Sequence, residues 1–267
     1  MADSRALRIA LRNVLLGTPL AGIPLVRKPR QLVDYSTESL FHYRAFTTTR
    51  GLVERSPWQV LKSESSEPIV LGNLAESSLQ GTWFHQIGSR AIDIVNLCML
   101  CRLVKPTTVF EIGTFTGYTT LHLALNSPPD ARVFTLDLPP GNMTSELPTS
   151  SMDESIKSAA GALPAHCFDG MPVADRITCL YGDSATFDFS PYAKNVDLFF
   201  IDGAHSYDYV RADTLHALEC CRPGAVIAWH DFGRVGINGV SRWLIEFSRR
   251  QPVYVVPAGS LAFTVVL

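Results

Sequence analysis

Two short stretches carry the groups best able to do chemistry. Asp202-Gly203-Ala204-His205 sets a carboxylate and an imidazole three residues apart, and His230-Asp231 sets the same pair side by side. Each follows an apolar run, Val196 to Ile201 and Ala225 to Trp229, with the length and β-rich composition of a buried strand. Neighbouring strands lie about 4.8 Å apart, so side chains just past their ends would converge on one point. Carboxylates and imidazoles gathered there could hold a divalent cation or move a proton. His230 taken alone fits equally well a histidine satisfied by a hydrogen bond at a strand end.

A third run, Thr107 to Ile112, opens into Gly113-Thr114-Phe115-Thr116-Gly117-Tyr118, with Glu111 just before the loop. Two glycines let a backbone pass close beneath a ligand, and a helix beginning at Gly117 directs its free N–H groups the same way. Phe115 stands where a dinucleotide-binding fingerprint needs its second glycine, which argues against a hydride-transfer enzyme. No glycine-rich loop with Lys, as phosphate binding would want, occurs in the chain. A fourth run, Arg132 to Asp137, ends in an acid 24 residues past Gly113. There a carboxylate could accept both hydroxyls of a ribose, cap a helix or sit in a solvated loop.

These residues need a scaffold, and from Lys105 onward short β-rich runs alternate with longer helical ones, the pattern of a doubly wound α/β sheet. Strands are expected at Thr107–Ile112, Arg132–Asp137, Arg176–Tyr181, Val196–Ile201 and Ala225–Trp229, and helices at Gly117–Asn126, Tyr207–Cys221 and Ile237–Arg250. Arg222-Pro223-Gly224 should stop the second of those helices. Pro252–Val256 and Leu261–Val266 are joined by so short a turn that they must pair antiparallel. The expected fold is therefore Rossmann-like and mostly parallel, with an antiparallel last strand. A core helix is expected over Trp83–Leu103. The stretch 138–175, rich in Pro, Gly, Ser and Thr, is too long for an ordinary connection. It reads as a lid or substrate-selecting insertion with a helix near Asp153–Ala160.

At this point the motifs together resemble a family. E-I-G-T-F-T-G-Y, T-L-D, G-D-S at Gly182–Ser184 and D-L-F-F-I-D-G-A-H-S-Y at Asp197–Tyr207 are similar, in order and at successive strand ends, to the motifs of class I S-adenosylmethionine-dependent methyltransferases. The likeness is to the small O-methyltransferases of the catechol and caffeoyl-CoA type and covers Trp83 to Leu267. The resemblance implies that Glu111 and the Gly113 backbone hold the methionine moiety of S-adenosylmethionine, Asp137 the ribose, and Asp183 with Ser184 the adenine. Thr114, Gly117, Tyr118 and Asp202 would complete the cofactor contacts. Acids are the sensible lining for a cationic sulfonium that carries an amino group.

D-G-A-H is also similar to the D-x-x-H of metal-dependent macrolide sugar O-methyltransferases. That likeness makes His205 the general base and Asp202, Asp231 and His230 the surroundings of a divalent cation, Mg²⁺ or Mn²⁺. Those relatives carry two adjacent acids where this chain has His230-Asp231. His230 thus leaves Mg²⁺ with fewer ligands, favours Mn²⁺ or another transition metal, or binds no metal. The expected reaction is methyl transfer to a hydroxyl of a small sugar or phenolic acceptor. Two alternatives stay open: the same fold without a metal on an N- or O-acceptor, and a non-catalytic relative kept for assembly.

Composition agrees with a small-molecule substrate. With 23 Lys plus Arg against 25 Asp plus Glu, the formal charge of -2 gives no long-range attraction to nucleic acid. The six cysteines follow no disulfide framework, and the Cys98-x-x-Cys101 pair reads as two buried helix thiols. Residues 1–80 form an N-terminal extension to a catalytic domain at 81–267. Its basic and apolar residues are broken by Gly17, Pro19, Gly22 and Pro24, so the expectation is a short amphipathic helix that docks on the body or on a second subunit in a homodimer rather than on a membrane. Within it no small-residue cleavage site follows a clean apolar core, so the expected location is the cytoplasm.

Overall fold

The computed structural model describes residues 49, 51–62, 65, 67–72, 91–141, 144–150, 153–154, 156–157, 165–234 and 238–267. The expected amphipathic helix of the first thirty residues, positions 83–90 of the core helix and 158–160 of the insertion helix lie outside the described residues. The elements are β1 (Leu52–Glu54), α1 (Pro57–Leu61), α2 (Ala91–Val104), β2 (Thr108–Ile112), α3 (Tyr118–Asn126), β3 (Arg132–Asp137), β4 (Ile177–Tyr181), β5 (Val196–Ile201), α4 (Tyr207–Cys220), β6 (Cys221–Trp229), α5 (Asn238–Phe247), β7 (Val253–Val255) and β8 (Ala262–Val265).

The eight strands form one sheet in the order β1-β7-β8-β6-β5-β2-β3-β4. β8 runs antiparallel to both of its neighbours, β6 and β7, while every other pairing is parallel. The sheet reverses its winding between β2 and β5, the position where open α/β sheets leave a crevice at the carboxyl ends of their strands. β1, from the region expected as an extension, adds an edge strand beside β7.

β2 and β5 are buried along their whole length, as strands covered on both faces must be. Alternate residues serve opposite faces. Phe110, Phe199 and Ile227 pack with Val210 and Ala217 of α4 and Trp243 and Leu244 of α5. Val109, Leu198, Phe200 and Val226 pack with Leu97, Leu100 and Cys101 of α2 and Leu123 of α3. Each such aromatic or aliphatic side chain contributes about 1.5–3 kcal/mol on burial. Cys98 and Cys101 are buried free thiols on α2, and burial pushes Cys98 up to about 12.

The polar exceptions in this core hold elements together. Asp197, inside β5, accepts from the Thr107 and Thr108 backbone N–H groups at 2.6 and 3.1 Å and from the Thr107 hydroxyl at 2.8 Å. Thr214 on α4 accepts the indole N–H of Trp229 at 3.0 Å and of Trp243 at 2.9 Å, tying α4 to β6 and α5. Trp229, Trp243 and Phe247 are all core residues.

β6 departs from expectation, beginning at Cys221 directly after α4 rather than at Ala225. Its register against β5 jumps from Val196↔Cys221 to Leu198↔Val226, so the Arg222-Pro223-Gly224 stretch is absorbed as an irregularity in the strand. Gly224 takes a positive φ of 85° there. Proline and glycine end the helix as expected; the bulge then lets pairing resume at once.

Candidate active site

Strand pairing brings the chemistry together. Ile201 and Trp229 are in register at the ends of β5 and β6. The ladder runs one residue further, with the His230 N–H donating to the Ile201 carbonyl at 3.1 Å and the Asp202 N–H to the Ile112 carbonyl at 2.9 Å. Asp202 and His230 therefore emerge side by side. Asp231 follows at a φ of 62°, a left-handed conformation that Asp tolerates better than most residues. His205 comes from the other direction, placed immediately ahead of α4, whose N-cap Ser206 accepts from the Tyr209 N–H.

The result is a chain of alternating acids and cations. His205 Nε2 lies 3.0 Å from Asp231 Oδ2 and 3.9 Å from Asp202 Oδ1. His230 Nδ1 lies 3.2 Å from both Asp202 Oδ1 and Asp231 Oδ1, and its Nε2 is 3.5 Å from Asp93 Oδ2. Arg234 donates to Asp231 Oδ1 at 2.6 Å. On the far side of His205, Asp153 Oδ1 accepts from Nδ1 at 2.6 Å and from the His205 backbone N–H at 3.1 Å.

Burial alone would discharge both imidazoles; the surrounding carboxylates reverse this. Asp153 and Asp231 take His205 up to about 10, and Asp202 and Asp231 raise His230 well above its usual value. Asp231, buried though it is, falls far below the ordinary carboxylate range because His230, His205 and Arg234 face it.

Asp202, His205 and Asp231 each offer one ligand atom, all within 4.8 Å of one another. That set of two carboxylates and an imidazole suits a divalent cation. His230, expected among the metal surroundings, is not in this trio and bridges Asp93 to Asp202 and Asp231 instead.

Glu111 is fully buried at the end of β2. Its Oε2 accepts from the hydroxyls of Thr120 and, at 2.7 Å, Thr135. Its Oε1 has no hydrogen-bond partner among the described residues. Burial pushes the carboxyl up to about 8, a rise that the two threonines moderate and Asp202 and Asp137 increase. An orphaned acidic oxygen of this kind lacks a donor or cation, and the ammonium of an amino-acid moiety is one.

The glycines of the adjoining loop serve protein packing. A Cβ on Gly113, at φ 102°, would lie 2.2 Å from the Asp202 carbonyl oxygen, and one on Gly117, at φ 74°, would lie 2.5 Å from the Phe168 ring. Thr114 shares a 2.7 Å hydrogen bond with Thr135, and the Tyr118 ring lies 4.4 Å from that of His122. Asp137 accepts the Phe115 N–H at one oxygen and the Leu138 N–H at the other, both at 2.7 Å. A carboxylate has further lone pairs at each oxygen, so these bonds leave capacity for hydroxyl donors.

Asp183 accepts from the Ala185 N–H at 2.8 Å, the Glu146 N–H at 2.7 Å and the Tyr209 hydroxyl at 2.5 Å, beside the buried Ser184. Tyr209 is thus a buried hydrogen-bonding residue, and Tyr207 packs under the Arg242 guanidinium, 5.5 Å from its ring centre.

Three members of the cluster were missed from sequence. Asp93 comes from α2, where it also accepts the Ser260 and Leu261 N–H groups at 2.8 and 3.0 Å. Arg234 comes from the turn after β6. Asp153 lies in a helical turn of the insertion, where the Ser150 N–H donates to its carboxylate at 2.7 Å and its own N–H donates to the Ser150 hydroxyl at 3.1 Å. Ser150 with Asp153 three residues on is a legible capping-box signal, but it marks a helix start and gives no hint of the histidine.

Comparison with known proteins bears on the same residues. The chain is 28% identical over 158 residues to caffeoyl-CoA O-methyltransferase 1 of Arabidopsis thaliana, a match that takes in 53% of this chain and 57% of that protein. The chain thus spans little more than half the length of this curated relative. Among crystal structures it is similar to the O-methyltransferase TomG of Streptomyces achromogenes, involved in tomaymycin synthesis and solved with SAM, at 25% identity and a TM-score of 0.45 over 67% of this chain and 82% of that one. It is also similar to a Bacillus cereus O-methyltransferase solved with SAH, at 20% identity and a TM-score of 0.47 over the same shares, 67% and 82%. A family described as a methyltransferase domain matches residues 110–232, from β2 to just past Asp231. The matched stretch includes Glu111, Asp137, Asp183, Asp202, His205 and His230-Asp231, and over it the chain is similar to a methyltransferase domain.

Proposed function

We propose that this chain transfers a methyl group from S-adenosylmethionine to a hydroxyl of a small-molecule acceptor, with His205 as the base. The observation that carries the reading is the meeting of His205, Asp202 and Asp231 past the ends of β5 and β6, beside the orphaned carboxylate oxygen of Glu111 on β2. Glu111 then binds the cofactor's amino group, with Gly113, Thr114, Gly117 and Tyr118 around the methionine moiety and Asp202 at its edge. Asp137 takes the ribose hydroxyls, and Asp183 and Ser184 face the adenine. The similarity to a caffeoyl-CoA O-methyltransferase favours a phenolic or comparable hydroxyl as acceptor. Residues 138–175 are read as the acceptor-selecting insertion into a catalytic body at 81–267, and residues 1–80 as an extension suited to a homodimer contact.

The cofactor supplies a methyl group on a sulfonium sulfur; as the carbon–sulfur bond breaks, the new carbon–oxygen bond forms and the sulfur leaves as a neutral sulfide. The residues have two tasks, alignment and removal of the acceptor's proton. His205 takes that proton at Nε2, the nitrogen facing Asp231 and Asp202. A divalent cation held by Asp202 and Asp231 would acidify the acceptor hydroxyl. Engagement of Asp231 by such an ion also removes one of the two charges that keep a proton on His205.

A second reading, methyl transfer without a metal, is favoured by Arg234, whose guanidinium already lies 2.6 Å from Asp231 Oδ1. S-adenosylhomocysteine release, measured over a panel of phenols and sugars, separates the two. Under the first reading EDTA abolishes turnover and Mg²⁺ or Mn²⁺ restores it; under the second, turnover survives EDTA. In both, H205A lowers kcat by about 100-fold or more and leaves cofactor affinity within about twofold. Full turnover in H205A would remove the base assignment.

A further inference from the structure

Asp153 belongs to none of the motifs that build the domain, yet it makes the shortest contact His205 has. It is 4% exposed, and one oxygen, Oδ1, takes both the ring Nδ1 at 2.6 Å and the backbone N–H at 3.1 Å of His205. Its other oxygen takes the Ser150 N–H at 2.7 Å. Two bonds from one residue to one oxygen restrict rotation of the imidazole about its side-chain torsions. The bond at Nδ1 also decides a competition.

To act as a base His205 must be in its neutral form, which has a single N–H, and here carboxylates face both nitrogens: Asp153 at Nδ1, and Asp231 at Nε2 at 3.0 Å. A carboxylate can only accept, so whichever holds the N–H leaves the lone pair on the opposite nitrogen. Asp153 has the shorter bond, and its own orientation is held by reciprocal bonds with Ser150. With the proton at Nδ1, the lone pair sits on Nε2 and faces the edge where Asp202 and Asp231 converge. With the proton at Nε2, the basic nitrogen would point into the insertion, away from any acceptor.

We infer that Asp153 is a positioning residue for methyl transfer, fixing the proton of His205 on Nδ1 and turning its basic Nε2 toward the acceptor edge. This rests on the reading of His205 as the base. It assigns the insertion a part in the chemistry itself, because the base is correctly oriented only when Asp153, held by Ser150, is seated against it.

Two measurements on the full chain with S-adenosylhomocysteine test the inference. The first needs no acceptor: a low-field proton resonance bonded to His205 Nδ1, assigned by its loss in H205A, is expected in the wild type and in D153N, whose amide oxygen accepts the same two bonds. D153A loses it or moves it upfield. Its absence from the wild type, or its persistence unchanged in D153A, overturns the proposal whatever the acceptor. The second follows S-adenosylhomocysteine release with catechol as the acceptor probe. D153A lowers kcat roughly 10- to 100-fold with the KM for S-adenosylmethionine within about twofold, and D153N recovers most of the loss.

In the H205A background D153A causes no further fall, because the two residues act as one unit. An equal fall in both backgrounds, or a rise in KM with kcat intact, would show a packing role only and overturn the inference. H205A with full turnover would instead refute the base assignment, leaving the ring resonance to judge the contact itself.

Discussion

Glu111 and Asp213 show how much a single buried carboxyl can report. Burial holds Glu111 at about 8, so in the ligand-free chain it carries a proton at pH 7. An ammonium placed against Oε1 favours the ionised form, so ligand binding releases that proton. Titration calorimetry with S-adenosylhomocysteine at pH 7, in buffers of different ionisation enthalpy, should report release of close to one proton. E111Q should abolish the release and weaken binding about tenfold or more. Equal heats in all buffers would count against Glu111 as the ammonium partner.

Asp213, on α4, has both oxygens buried with no well-formed hydrogen bond among the described residues, and burial pushes it up to about 7, with the nearby Ser184 hydroxyl moderating the rise and Asp183 adding to it. The folded chain therefore keeps a proton that the unfolded chain has already released above its ordinary value of 3.8. Stability on this account falls as pH rises through that window. D213N removes the titration, so its melting temperature should gain on the wild type between pH 5 and pH 8. A constant difference across that range would mean that Asp213 is ionised, and stabilised, throughout.

At the scale of elements, the joint between α4, α5 and β6 passes through one hydroxyl. Thr214 receives two indole N–H groups and donates to the Val210 carbonyl at 2.6 Å. T214V keeps the shape and leaves both indoles unpaired in the core, at a cost of roughly 2–5 kcal/mol. Calorimetry should show a fall in melting temperature of about 5 °C or more; a fall under a degree would indicate that the joint is held by apolar packing alone. The same elements show what sequence can say about boundaries. β2, β3 and β5 stand where their apolar runs put them, and Ser206 caps α4 as a serine before a helix should. The start of β6 was misplaced because Pro223 and Gly224 were weighed as breakers, while the pairing available along β5 could be seen only in three dimensions.

For the molecule as a whole, the 138–175 segment is fastened at each region of the expected cleft. Glu146 donates to Asp183, Asp153 meets His205, and the Cys167 N–H donates to the Thr116 carbonyl at 2.9 Å while Phe168 packs on Gly117. A ligand bound among these contacts stabilises sheet and insertion together. At 100 times its Kd, S-adenosylhomocysteine should add about 2.7 kcal/mol, a rise in melting temperature of roughly 5–10 °C seen as one cooperative transition. Two transitions, with the ligand shifting only one of them, would show that the segment folds apart from the sheet.

No helix among the described residues is long and apolar enough to cross a membrane. The extension expected at residues 1–80 contributes at least β1 to the sheet edge beside β7, a pairing invisible in so short a strand.

Local energetics made part of this protein legible in one dimension. Apolar runs, glycine bends and acids just past strand ends follow from backbone sterics and burial, which act over a few residues. They located Glu111, Asp137, Asp183, Asp202, His205 and His230-Asp231 at the carboxyl edge of the sheet. The partners of those groups were decided only by packing. Asp153 reaches His205 across 52 positions of chain, and Asp93 reaches the Ser260 turn across 167. Charges attract through space without regard to sequence separation, so the protonation of the two histidines, and the choice of His205 over His230 in the candidate metal trio, follow from the folded geometry alone.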